Sequence, residues 1–138
     1  MTTQPRLTKT LATAFAALLL TVGTMSAQGR EAFTEDRFEA LQAAGELVLV
    51  SVHADWCGTC ARQNDILSAF PEKYPDTELY VLVVDFDKQK EWVRHFGAPS
   101  QSTLILFRGE ERVWFSVGET GEDKIYGEIA AASAAGAR

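Results

Sequence analysis

The sequence predicts an α/β domain, a mixed central β-sheet flanked by helices on both faces, and three observations carry that prediction. Two uninterrupted apolar runs, Leu47 to Val52 and Leu79 to Val84, lack polar–apolar alternation and read as strands covered on both sides. A helical pattern lies between them, which suits parallel strands joined by a crossover. Later, Gly109 separates two further strand-like runs, the mark of a tight antiparallel hairpin.

The elements follow in order. Arg30 to Thr34 reads as a lead-in. Thr34 has the chemistry of an N-cap, Glu35 and Asp36 suit a first helical turn, and Phe33 can staple to Phe38. Phe38, Leu41 and Gln42 continue that helix, which Gly45 is placed to end. After the first strand, Ala61 to Phe70 reads as a helix with Ile66, Leu67 and Phe70 on its apolar side, and Pro71 and Pro75 bracket its exit. Asp85-Phe86-Asp87 closes the second strand. Lys88 to Phe96 is a short helix with Trp92, Val93 and Phe96 inward, broken by Gly97-Ala98-Pro99-Ser100. Thr103 to Phe107 and Val113 to Val117 form the hairpin. Glu122 to Ala135 is the last helix, with Ile125 and Ile129 on one face.

At 138 residues the chain has room for one ordinary domain. An apolar fraction of 46% with interspersed charges fits a folded soluble protein. Residues 1–27 read differently. Arg6 and Lys9 precede the apolar run Leu11 to Val22, and small and polar residues follow to Ala27, the three-part pattern of a secretory signal peptide. Residues 28–138 are then an exported domain, periplasmic or otherwise extracytoplasmic. The alternative is an uncleaved anchor, although the run falls short of the roughly 20 residues that a span needs. The net charge of −6 becomes more negative once Arg6 and Lys9 are removed. Such a surface argues against nucleic acid or an anionic membrane as partner.

Cys57 and Cys60, the two cysteines of the chain, stand between the first strand and the helix after it. A strand that delivers Cys-x-x-Cys to the first turn of a helix is a redox-active dithiol arrangement. Exported proteins also hold structural disulfides. A bridge across so short a loop stabilises little, however, so the spacing favours chemistry over stapling. Unpaired N–H groups and the helix dipole stabilise a thiolate at the helix start, which makes Cys57 the expected attacking thiol. Cys60, one turn on and deeper, is the expected resolving thiol.

The stretch His53-Ala54-Asp55-Trp56-Cys57-Gly58-Thr59-Cys60, following a buried strand, resembles the active-site turn of the thioredoxin family, W-C-G-x-C. The likeness continues through Val84-Asp85-Phe86-Asp87 and Phe96-Gly97 to Thr103-Leu104-Ile105-Leu106-Phe107-Arg108-Gly109, and covers roughly Phe33 to Ile129. It implies a thioredoxin-like fold and exchange of a Cys57/Cys60 dithiol–disulfide pair, with Trp56, Gly58, Thr59, His53, Ser102 and Thr103 as active-site neighbours. There are departures. The family usually has a cis-proline before the threonine of the third strand. Aligning Thr103 and Phe107 puts Ser102 there, whereas a competing register would use Pro99. A cis bond before a non-proline residue costs about 3–4 kcal/mol, so a trans Gln101–Ser102 bond is expected. Ser51 stands where a buried aspartate is common, His53 replaces an aromatic, and Thr59 replaces proline.

Trp56 is expected to shield the turn and offer a contact surface, or simply to pack. A protonated His53 near Cys57 would favour the thiolate; the alternative is a half-buried histidine at a strand end. Ser51 offers no charged base, which leaves water, Asp55 or another group to take the Cys60 proton and implies slow reduction of protein disulfides. The Ser102 hydroxyl or N–H is a candidate partner for a substrate chain or a cysteine sulfur. No cofactor and no metal is expected. Two cysteines are half of a tetrahedral set, which His53 or a second chain would have to extend. The resemblance, with the export pattern of residues 1–27, thus leads to a monomeric exported oxidoreductase, more a reductant than an oxidant. Its partners would be disulfide- or thiol-containing client proteins or small molecules, and a membrane electron-donating reductase. The rivals are a metal-binding or redox-sensing module without turnover, and a non-catalytic interaction protein.

Overall fold

A computed structural model describes Met1 and residues 29–136, so the expected signal peptide lies outside the described residues. Five strands, β1 (Arg30–Ala32), β2 (Leu47–His53), β3 (Tyr80–Asp85), β4 (Thr103–Arg108) and β5 (Glu111–Val117), form one sheet in the order β1-β3-β2-β4-β5. β1 and β2 both run parallel to β3, and β4 is antiparallel to β2 and β5. Helices α1 (Glu35–Ala43) and α3 (Lys90–His95) cover one face, and α2 (Gly58–Lys73) and α4 (Glu122–Gly136) cover the other. This is the mixed α/β architecture that the sequence predicts.

β2 lies between β3 and β4, and Leu47 to Val52 are all buried. Strand alternation sorts them, with Val48, Val50 and Val52 in the α1/α3 core and Leu47 and Leu49 in the α2/α4 core. Each such side chain contributes about 1.5–3 kcal/mol on burial, well above local strand propensity. In the first core Phe33 meets Phe38, Trp92 and Phe96 at centroid distances of 5.6, 4.8 and 5.5 Å. In the second, the Tyr126 hydroxyl donates to the Ile66 carbonyl at 2.6 Å and joins α4 to α2.

Element ends follow from local chemistry. Thr34 caps α1, its Oγ1 accepting the Arg37 N–H at 3.3 Å. The two-residue turn between β4 and β5 needs a positive φ at its first position, which Gly109 supplies at +56°. Two expectations are corrected. Arg30–Ala32 is not a bare lead-in but a strand, paired to Val81–Val83 along the edge of β3. Three residues reading Arg-Glu-Ala carry no period, and the open edge of β3 is what makes them a strand. α2 starts at Gly58 and continues through Pro71 to Lys73 rather than stopping at Phe70. A proline in the last turn removes one helical N–H, while the Tyr74 N–H still donates to the Phe70 carbonyl at 2.9 Å.

Phe33→Ala should cost about 3–5 kcal/mol, since it empties the centre of the aromatic cluster at the β1–α1 junction. Urea titration of the reduced protein measures this; a loss below about 1 kcal/mol would show that the cluster is not a core.

Candidate active site

The chain leaves β2 at His53, turns through Ala54 to Trp56 and enters α2 with Cys57 as its N-cap. Cys57 is extended, with φ −96° and ψ 109°, and its Sγ accepts the Cys60 N–H at 3.1 Å. Its own N–H donates to the Ala54 carbonyl at 3.1 Å. The sulfur therefore faces the unpaired amides at the positive end of a 16-residue helix. Cys60 lies one turn on and deeper: the two residues are 7% and 2% exposed, and both are free thiols. Burial first, and the hydrogen bond with Cys57 second, push the Cys60 thiol up to about 11, while backbone groups of Ala54 and Ser102 oppose that rise. Ala54 and Phe86 close the apolar side of the pair.

Trp56 does not pack into a core. It is 64% exposed, its indole N–H donates to Asp87 Oδ2 at 2.8 Å, and its ring meets the edge of Phe86 at 6.4 Å. The result is a fixed, open aromatic surface beside the turn. Gly58 and Thr59 are exposed, and a Cβ at position 58 would meet nothing within 4 Å.

His53 Nε2 lies 3.4 Å from Asp55 Oδ1, and its Nδ1 is buried without a hydrogen-bond partner. Burial, then the charge of Arg30, hold its pKa below the ordinary histidine range, although Asp55 and Asp85 pull the other way. The imidazole therefore matches the second reading of His53, a half-buried histidine at a strand end. A positive charge is instead held nearby on Arg30 of β1, whose guanidinium donates to Asn64 Oδ1 on α2. Burial lowers the Arg30 pKa, and attraction to Cys60 and Asp55 opposes the fall. Asp55 itself is 96% exposed and turned to His53, so it is poorly placed to take the Cys60 proton. Ser51 is buried on the α2 side of β2 and brings no carboxylate. Among the described residues no three His, Cys, Asp or Glu side chains gather to hold a metal ion, so His53 does not extend the cysteine pair into such a set.

Ser102 is buried beside Cys60. The Gln101–Ser102 bond is trans, like every described peptide bond. The strain expected of a cis bond is found elsewhere: Ser102 has φ +59°, the one described non-glycine residue in the left-handed region, at a cost of about 1–2 kcal/mol. Hydrogen bonds hold it there. Its N–H donates to the Val52 carbonyl at 2.8 Å, and its carbonyl accepts from the Gly118 N–H at 2.8 Å and from Gln63 Nε2 at 3.1 Å. Its hydroxyl donates to the Gln101 carbonyl at 2.5 Å. The hydroxyl is therefore engaged inside the loop, not held ready for a substrate chain. The Val52 carbonyl also accepts the Cys60 S–H at 3.9 Å, which joins Ser102 to the dithiol. Thr103 is buried, and its Oγ1 donates to the Ser100 carbonyl at 2.7 Å.

Sequence reasoning missed Arg30 and Gln63. Arg30 was hidden with its strand. Gln63 had a signal, since it precedes Ile66 by three residues and Phe70 by seven, on the apolar side of α2.

The family model described as Thioredoxin matches residues 30–131. The thioredoxin of Chlamydia muridarum is 35% identical over 92 residues, 67% of this chain and 87% of that one. Thioredoxin-1 of Saccharomyces cerevisiae is 31% identical over 85 residues, 62% of this chain and 81% of that one. Among solved structures, Trxlp from Edwardsiella tarda shares 37% identity at a TM-score of 0.69, covering 73% of this chain and 98% of that chain. A mutant thioredoxin from Halobacterium salinarum shares 25% at a TM-score of 0.70, covering 80% and 96%.

The raised Cys60 thiol fixes the sign of a pH effect. Folding favours the protonated form, so the contribution is full below the unfolded thiol value of about 8.5. It is lost as pH rises towards about 11. Denaturant midpoints of the reduced protein should fall over that range, and those of Cys60→Ala should stay flatter; parallel curves would contradict the assignment.

Proposed function

The chain belongs to the thioredoxin family, and on that premise we propose that it is an exported reductant of protein disulfides. Members of the family are thiol–disulfide oxidoreductases that act on thiol- or disulfide-containing proteins, and so is this chain. The observation that carries the finer reading is the asymmetry of the two sulfurs, one at a helix N-terminus and nearer to solvent, the other buried and held protonated.

In this reading Cys57 attacks a client disulfide. The client S–S bond breaks, one client sulfur leaves as a thiol, and a Cys57–client disulfide forms. Cys60 then loses its proton and attacks Cys57 Sγ, which releases the second client thiol and leaves a Cys57–Cys60 disulfide, with two electrons passed to the client. Arg30 attracts the Cys60 thiolate as it forms. No buried carboxylate stands nearby at Ser51 to take the proton, so resolution is the slow step. His53 favours the reductant direction: its imidazole, with a pKa held below the ordinary histidine range, adds no second cation to Arg30, and each further cation that stabilised the thiolate would move the pair towards an oxidant. Export rests on the three-part pattern of residues 1–27. A reductant outside the cytoplasm has to be recharged, and a membrane electron-donating reductase is the partner that fits.

Cys60→Ser should trap Cys57–client disulfides, visible on non-reducing gels, and should lower multiple-turnover reduction about a hundredfold or more. Cys57→Ser should trap none. Thiol labelling of the exported protein in living cells should find mostly dithiol; a predominantly oxidised pair would refute the reductant direction.

A further inference from the structure

We propose that Gln63 is a positioning residue of the exchange site, a buried carboxamide that clamps together the two loops on the β4–β5 side of the dithiol. The proposal rests on the oxidoreductase reading for its assay.

Gln63 is on α2, one turn beyond Cys60, and is 1% exposed. Its Nε2 donates to two backbone carbonyls, Ser102 at 3.1 Å and Glu119 at 2.9 Å. Ser102 immediately precedes β4 and Glu119 follows β5, so one amide group bridges the start of one strand and the end of its neighbour. The Gly118 N–H donates to the same Ser102 carbonyl at 2.8 Å. Together these bonds hold Ser102 in its left-handed conformation beside the dithiol.

Fold stability does not require a glutamine there. The neighbouring inward positions of α2 are Ile66, Leu67 and Phe70, and Gln63 Oε1 is buried with no hydrogen-bond partner. A half-satisfied polar group is a poorer core residue than an apolar one of the same size. What the carboxamide adds is geometry. The sheet order shows where that geometry matters. β2 lies between β3 and β4, so Trp56, tied to Asp87 after β3, stands on one side of the turn, and the Ser102 and Gly118 segments stand on the other. A protein client delivering a disulfide to Cys57 has to lie across both sides. A small disulfide touches little beyond the sulfurs.

The test compares Gln63→Met, which keeps the volume and removes both donors, with Gln63→Leu, which removes them with the kind of side chain that its inward neighbours on α2 carry. Reduction of insulin, a protein disulfide, should lose about tenfold in kcat/KM in both variants, chiefly through KM. Reaction with oxidised glutathione should stay within about twofold, and the melting temperature of the reduced protein close to wild type. Exchange of the Gly118 amide hydrogen should quicken about tenfold while that of Val50 does not. If Gln63→Met fails to fold, Gln63→Leu carries the comparison. Unchanged insulin kinetics would overturn the proposal, as would equal losses on both disulfides in step with a falling melting temperature. Wild-type protein that reduced neither disulfide would overturn the oxidoreductase reading together with it, whereas wild-type activity with equal losses overturns this proposal alone.

Discussion

The burial of β2 on both faces, with β3 and β4 bonded to its two edges, leaves that strand no freedom of register, and the site inherits its geometry from it. A slip of one residue would exchange the side chains of the two cores, Val48, Val50 and Val52 for Leu47 and Leu49. The positions at the strand's carboxyl end are therefore fixed as firmly as the core. Ser51 and His53 fall on the α2 side, the Val52 carbonyl meets Ser102, and Cys57 arrives at the first turn of α2. Nothing in the turn itself needs to be rigid for this to hold, and Gly58 and Thr59 are open to solvent.

Two identical side chains three residues apart then acquire opposite characters from their surroundings. Cys57 borrows the unpaired amides of the helix start. Cys60 sits one turn in, where burial raises the cost of its charged form. The groups around them have exchanged parts. The histidine is neutral and meets an exposed carboxylate, and the positive charge acting on Cys60 comes from β1.

Much of this was legible in the sequence, and the parts that were not have physical reasons. Leu47 to Val52 announced itself because a strand buried on both sides has no alternation to hide. Thr34 and Gly109 were legible because a cap and a two-residue turn each demand particular side chains. β1 was invisible because Arg30, Glu31 and Ala32 take their conformation from β3 rather than from one another. Arg30 was lost with it, since its effect on Cys60 exists only once β1 lies beside β3. Ser102 could be placed against the dithiol by alignment with Thr103, but its left-handed backbone could not, because a serine gives no local preference for that region. Gln63 was passed over because a glutamine on a helix is usually solvated, and the carbonyls that draw it inward come from segments 39 and 56 residues away.

Ser102 also bears on which side chains such a loop can accept. A proline ring stiffens its own backbone and needs no partner, but at φ +59° it has no place, and it lacks the N–H that Val52 accepts. The stiffness of this loop is instead shared among Val52, Gln63, Ser102 and Gly118, none of which supplies it alone. Proline in place of this serine would keep the carbonyl that Gln63 and Gly118 reach but would lose the N–H to Val52 and the left-handed turn, so the loop would have to take its stiffness from a different backbone path.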